Sequence, residues 1–244
     1  MTGTAREVSK ELGSVYNLGV VAIPPRLPSR RHELPARIYA SAAVKWRRVL
    51  CRVQALKALG RPVLIGTRTV ADSECLSRLF RRHGVEHCLL NARQDREEAE
   101  LVARAGQRGQ ITIATNLAGR GTDIQLGVGV QALGGLHVII AESNDARRID
   151  RQLAGRCARQ GDPGSVEIVL SLEDRIMVQQ YPAFLLGFLR RCRNRDAALP
   201  DWLGRLARRW AQFAIERRHE RIRRLLLWQD GEIQRMLAFT GGGE

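Results

Sequence analysis

Residues 110–124 read QITIATNLAGRGTDI. The first half is a short run of β-branched and small residues of the kind that fills a strand buried on both faces. The second half starts as a loop in which Gly119 and Gly121 bracket Arg120, and Thr122 and Asp123 follow. In an open parallel sheet, ligands sit beyond the carboxyl ends of the strands. A strand ending at Thr115 therefore delivers the loop to the binding edge. There Gly119 and Gly121 let the backbone turn sharply and approach a ligand closely. Arg120 can reach a phosphate, and Asp123 can accept hydrogen bonds from ribose hydroxyls. A Gly-rich turn after a strand reads the same way, and one G-R-G triplet decides nothing alone.

Outward from this stretch the pattern alternates. PVLIGT from Pro62 and EHCLLN from Glu86 read as strands upstream; LHVIIAE from Leu136 and SVEIVLSL from Ser165 read as strands downstream. Between them lie helical patterns. SAAVKWRRVLCRVQALKAL carries Val44, Val49, Val53 and Leu56 on one face and stops at Gly60. TVADSECLSRLFRRHG places Val70, Leu76, Leu79 and Phe80 together and ends at Gly84. DREEAELVARAG opens with a capping-box-like pair, Asp95 and Glu98. NDARRIDRQLAGRCARQG reads as one further helix. Strands alternating with helices of this length predict an α/β fold with a mostly parallel sheet covered on both faces. Upstream, SVYNLGVVAIPP is expected to be an extended strand and RLPSRRHELP a connector. Downstream, the stretch from Trp202 to Leu237 reads as one long helical pattern with arginines on its polar face.

A second motif, RRIDRQLAGRCARQGD, spans residues 147–162. On a continuous helix Arg148, Gln152, Arg156 and Arg159 are spaced 4, 4 and 3, which puts them on one stripe. A row of Gln and Arg is awkward in a core. It suits the spread charge of a transferring γ-phosphoryl group, where Arg acts as a finger. A solvated basic face has the same spacing.

The formal charge is +15, and of the 40 basic residues only Lys10, Lys45 and Lys57 are lysine. Such a surface suits a polyanion, either non-specific nucleic acid or an anionic membrane, although an arginine-rich proteome gives the same count. The five cysteines are odd in number and show no CxxC pair, which argues against a disulfide framework or a zinc site. No apolar run reaches the length of a membrane span and no signal-peptide pattern opens the chain, so a soluble intracellular protein is expected.

TNLAGRGTDI and QLAGRCARQGD resemble motifs V and VI of superfamily 2 helicase-type motors. With GGLHVI between them and LSLEDRIM after, the wording is similar to the SecA family of preprotein translocase ATPases. PVLIGTRTVADSE and HCLLNAR resemble stretches of that family's second motor lobe. MTGTA at residues 1–5 resembles the end of the first lobe, and YNLGVVAIPPRLPSRRHELPARIY the linker after it. The resemblance covers residues 1 to about 177; the later AIERRHERIRRLLLWQDGEIQRML is similar, more loosely, to the family's helical scaffold.

The resemblance implies the end of a first lobe and a linker over 1–40, a RecA-like second lobe over 41–176, and a shortened helical scaffold over 177–244. It implies ATP and Mg²⁺ as cofactors. Asp123, Arg120, Gly119, Gly121, Thr122 and Gln152 would bind nucleotide, and Arg156 and Arg159 would face the γ-phosphate across an interlobe cleft. No GxxxxGK[ST] occurs in the sequence, so the Mg²⁺ ligands and the phosphate-cradling loop are expected on a first lobe supplied in cis or trans. The implied partners are a SecY-type translocation channel, an unfolded preprotein and an anionic lipid surface, with the protein cytoplasmic and peripheral on a bacterial inner membrane. The family pattern has Arg where Ala154 stands and Gly where Ala158 stands; if the backbone at 158 needs a positive φ, alanine is strained there. A nucleic-acid helicase lobe and a non-catalytic basic binding or regulatory module are the rival readings.

Overall fold

The computed structural model describes residues 5, 9–90, 101–115, 122–191 and 197–240. Among these residues seven strands form one parallel sheet. They are β1 (Arg30–Glu33), β2 (Arg37–Tyr39), β3 (Val63–Thr67), β4 (Cys88–Leu90), β5 (Ile111–Thr115), β6 (Leu136–Ile140) and β7 (Pro163–Ser171). The order is β1-β7-β6-β3-β5-β4, with β2 also pairing β7. Around them run α1 (Ser9–Tyr16), α2 (Ala42–Ala58), α3 (Val70–Arg82), α4 (Arg147–Ala154), α5 (Arg175–Gln180), α6 (Ala183–Arg191) and α7 (Asp201–Thr240).

β3, β5 and β6 form the centre and are buried at every position. Alternate residues point to opposite faces, and each face has its own core. Val63, Ile65, Ile111, Ile113 and Ile139 pack with α2 and α3 through Val49, Val53, Leu76 and Phe80. Leu64, Ala114, Val138 and Ile140 pack on the other face with Leu153 of α4 and Val102. Gly66 makes the second packing possible, because a Cβ there would come within 2.0 Å of the Leu153 side chain. The helix starts follow the sequence: Ser41 caps α2 by accepting from the Val44 amide, and Thr69 caps α3 by accepting from the Asp72 amide.

A third core joins the sheet edge to the C-terminal helices. Ile38 of β2 and Leu170 of β7 meet Ile176, Met177, Leu186, Ala207, Ala211 and Ile215. The α/β sheet with a helical extension is therefore as expected. Beyond Glu216, the side chains of Ile222, Leu225, Leu226, Trp228 and Ile233 on the 40-residue helix α7 are exposed. Among the described residues, no helix is long and apolar enough to cross a membrane.

Two expectations upstream are corrected. The stretch expected to be extended from Ser14 begins inside α1, turns at Asn17 with φ 52, and forms no strand through Pro25. The stretch expected to be a connector holds β1, and β2 follows it at Arg37–Tyr39, so two described strands upstream of α2 join the sheet where a connector was expected. The reason is its place in the sheet. β1 is an edge strand paired only with β7 and largely exposed, so Arg-Arg-His-Glu shows no apolar alternation. The capping-box pair Asp95 and Glu98 lies outside the described residues.

Candidate functional site

β3, β5 and β6 run parallel and end together at Thr67, Thr115 and Ile140. The loop after β5 leaves this edge; its residues Gly119, Arg120 and Gly121 lie outside the described residues. The chain is described again at Thr122 and Asp123. Both oxygens of the Asp123 carboxylate are engaged: Arg159 Nη1 donates to Oδ1 at 2.8 Å, and Gln160 Nε2 donates to Oδ2 at 3.2 Å. Arg159 also donates to the Thr122 carbonyl at 3.4 Å and, through Nε, to the Gly155 carbonyl at 2.9 Å. One guanidinium thus ties the loop after β5 to the end of α4. Its charge lies near the negative pole of that helix.

The expected single stripe of Arg148, Gln152, Arg156 and Arg159 is corrected. α4 ends at Ala154, so only Arg148 and Gln152 lie on it, one turn apart. Arg156 and Arg159 lie in the turn that follows. The backbone there is left-handed at Ala158 (φ 55), Gln160 (φ 52) and Gly161 (φ 87), which no helix can contain. Ala158 occupies a conformation that favours glycine, and the turn is pressed against β7: a Cβ on Gly164 would lie 2.8 Å from the Ala158 amide nitrogen. Arg156 nevertheless reaches the same edge, since it borders a small apolar void with Thr115 and Leu90, the last residues of β5 and β4. Ala154 is buried in the core beneath.

Further charged residues, not expected from the sequence, gather at this edge. Arg68, just past β3, makes a two-pronged pair with Asp145 at 2.7 Å per contact, and its amide donates to Glu142 at 3.0 Å. Lys45 of α2 is fully buried. Its Nζ donates to Asp174 at 2.7 Å and to the Ala141 carbonyl at 3.1 Å, and lies 3.9 Å from Glu142. Burial pushes the Glu142 carboxyl up to about 7, against the pull of Lys45. A signal for Lys45 was present: it precedes Val49 and Val53 by four and eight residues, on the apolar face of its helix.

The N-terminus of α4 is set by α7. The Arg147 amide donates to Glu216 Oε1 at 2.8 Å, so a carboxylate from the long helix caps the positive end of the short one. Gln212 Nε2 donates to Asp150 Oδ2 at 2.6 Å and to the Asn144 carbonyl at 3.3 Å. Asp150 Oδ1 accepts from the Asn144 amide and side chain at 2.9 and 2.8 Å. Burial raises the Asp150 pKa even though all these donors oppose it. Among the described residues, no cluster of His, Cys, Asp and Glu could hold a metal ion.

A family profile described as the SecA P-loop domain matches residues 28–131 and 128–196, which contain all seven strands. The chain is 51% identical over 246 residues to protein translocase subunit SecA 3 of Magnetococcus marinus, covering 99% of this chain and 37% of that protein. It is 46% identical over 247 residues to protein translocase subunit SecA 2 of Nitrosospira multiformis, covering 100% of this chain and 36% of that protein. A solved chain of the E. coli DEAD-box protein SrmB aligns at 18% identity and TM-score 0.46, covering 64% of this chain and 84% of that one. The chain therefore spans little more than a third of the curated relatives it matches. With its parallel sheet inside the matched domain and its helical extension inside the full-length match, it belongs to the SecA family.

Proposed function

We propose that this chain serves as the second motor lobe and part of the scaffold of a SecA-type protein-translocating ATPase. The observation that carries this reading is the Arg159–Asp123 pair, which joins the segment after β5 to the turn after α4, in a chain of the SecA family. The pair is suited to a nucleotide. Both side chains are a little over a third exposed, so an arriving phosphate can draw Arg159 away at small cost. In this role Arg156 and Arg159 bind oxygens of the γ-phosphate, Gln152 and Arg120 add polar contacts, Gly119, Gly121 and Thr122 shape the loop, and Asp123 meets the ribose. ATP with Mg²⁺ supplies the phosphoryl chemistry, the metal being held by a first lobe. Asp123 keeps Arg159 oriented until nucleotide arrives, so the finger is positioned before the reaction begins. The partners of this reading are a SecY-type channel, an unfolded preprotein and an anionic lipid surface, and its place is the cytoplasmic face of a bacterial inner membrane.

The test needs a protein carrying both lobes. An arginine finger neutralises charge that develops in the transition state. Arg156→Ala and Arg159→Ala should each lower kcat by roughly 10²–10⁴-fold while changing ATP affinity far less. Equal, small effects on kcat would sink the reading. The 244 residues on their own contain no GxxxxGK[ST] loop and should release phosphate far more slowly than about 1 s⁻¹.

The left-handed Ala158 favours a second reading, a lobe retained for binding with slowed turnover. Ala158→Gly in the two-lobe protein separates the two. An increase in kcat favours the slowed motor, and no change favours a turn that already serves catalysis.

A further inference from the structure

A cavity of about 660 Å³ lies between α4, α7 and the β1 edge of the sheet, and its lining includes neither Asp123 nor Arg159. Two helices present matching faces to it. α4 contributes Arg147, Asp150, Arg151 and Ala154, and α7 contributes Arg205, Arg208, Arg209 and Gln212. Both sets follow the i, i+3, i+4, i+7 spacing of one helical face. Ile140, Val166 and Ile168 form an apolar floor, and Arg31 and Glu33 stand at the strand edge. The lining holds six arginines against two carboxylates. One carboxylate, Glu33, is bound to Arg31 at 2.7 Å, and the other, Asp150, is buried and bound to Gln212 and Asn144.

Two of the arginines have a carboxylate within reach, Arg147 at 3.7 Å from Glu216 and Arg208 at 3.9 Å from Asp150, and the arginines still outnumber the carboxylates around the cavity. Arg147 Nε and Arg208 Nε are buried with no hydrogen-bond partner. Burial lowers the Arg208 pKa; Asp150 opposes this, while the neighbouring Arg147 and Arg209 charges lower it further. Buried donors without acceptors and like charges held close are both unfavourable. An anion in the cavity offsets the crowding of like charge. A volume of this size also falls in the range of small-ligand sites, ~300–1,000 Å³.

We propose that the cavity between α4 and α7 is a second anion site, separate from the nucleotide edge, that takes a compact phosphate-bearing polyanion through Arg147, Arg205, Arg208 and Arg209. Guanidinium forks match phosphate oxygens two at a time, which a chloride cannot exploit. The phosphate has two sources, a soluble oligophosphate or a phosphorylated lipid headgroup. Because Arg147 and Asp150 belong to the helix that precedes Arg156 and Arg159, an occupied cavity also stiffens the support of the proposed finger.

The probe is inorganic pyrophosphate, titrated against the 244-residue chain by calorimetry and thermal melting at constant ionic strength. Binding with a Kd below about 1 mM and a raised Tm is expected. Arg205→Glu and Arg209→Glu, both at exposed positions that leave the core untouched, should each weaken binding at least about tenfold. Arg221→Glu, the same charge change on the exposed part of α7, should leave it nearly intact, as should Arg159→Ala at the proposed nucleotide site. Loss of binding in Arg159→Ala with retention in the two cavity variants would place the anion at the nucleotide site and overturn the proposal. Equal loss in Arg221→Glu would reduce it to general surface charge, and no binding at all would also overturn it. Vesicles containing phosphatidylinositol phosphate then identify the source. Competition between vesicles and pyrophosphate supports a headgroup in the cavity; pyrophosphate binding without competition supports a soluble oligophosphate.

Discussion

The two ends of α4 are held in opposite ways. Its beginning is fixed inside the protein: Glu216 caps the Arg147 amide, and Asp150, Asn144 and Gln212 share a buried set of hydrogen bonds. Its end is held by a half-exposed ion pair, Arg159–Asp123, and a turn that forces Ala158 into a left-handed backbone. Removing a partner from a buried polar set strands the others without water. An exposed pair contributes on the order of 0–1 kcal/mol and is easily exchanged for another partner. The firm end faces α7 and the exchangeable end faces the proposed ligand. This is the division expected of an element that positions arginines on a fixed base.

The largest effect on folding should come from the firm end. Asp150→Ala leaves Gln212 and both Asn144 donors without their acceptor and should lower the unfolding free energy by about 3 kcal/mol. Urea denaturation checks this; a loss under about 1 kcal/mol would remove the contrast between the ends. Next is a pH effect at the neighbouring Glu142, whose carboxyl titrates at about 7 in the folded protein instead of the ordinary 4.5. Between those pH values the folded state keeps a proton that the unfolded chain has lost, so this group's contribution to stability falls as pH rises. Glu142→Gln carries no charge at any pH. It should flatten the stability profile in that window and exceed the parent at about pH 8 by on the order of 1–3 kcal/mol. An unchanged slope between about pH 5 and about pH 8 would show that Glu142 is ionised throughout.

Smaller still, Ala158→Gly relieves a left-handed alanine but loosens the unfolded chain, for a net gain of roughly 1 kcal/mol or less. Thermal melting should show a modest rise in Tm, and a fall would mean the methyl group packs usefully. At the bottom of the scale, Arg159→Ala should cost the isolated chain under about 1 kcal/mol despite its expected effect on turnover. A large stability loss there would make Arg159 a structural residue and erase the difference between the two ends.

The residues explain which parts of this structure can be read from sequence. β3, β5 and β6 are dense apolar runs bounded by Gly and polar turns, and being buried on both faces they leave a strong local pattern. β1 leaves none, because an edge strand answers to a single neighbour and its side chains face solvent. The end of α4 was hidden for a different reason. Left-handed backbone is usually marked by Gly or Asn, and here Ala158 and Gln160 adopt it. The position of Asp123 beside Arg159 joins segments 36 residues apart. Helical spacing put Arg159 on one stripe with Arg148, Gln152 and Arg156 and said nothing of Asp123, so it misplaced the route by which Arg159 arrives. The α4–α7 contacts join residues more than sixty apart, and no local pattern announces them.

The length of α7 turns its docking point into a fulcrum. Gln212 and Glu216 bear on α4 near the start of the helix, which continues to Thr240. At the usual helical rise the remaining arm is ~40 Å long, so a tilt of ~5° at the fulcrum swings its far end by ~4 Å. The apolar side chains from Ile222 to Ile233 ride on that arm. Whatever surface they rest against feels a sub-ångström adjustment beside Asp150 as a displacement larger than the adjustment itself.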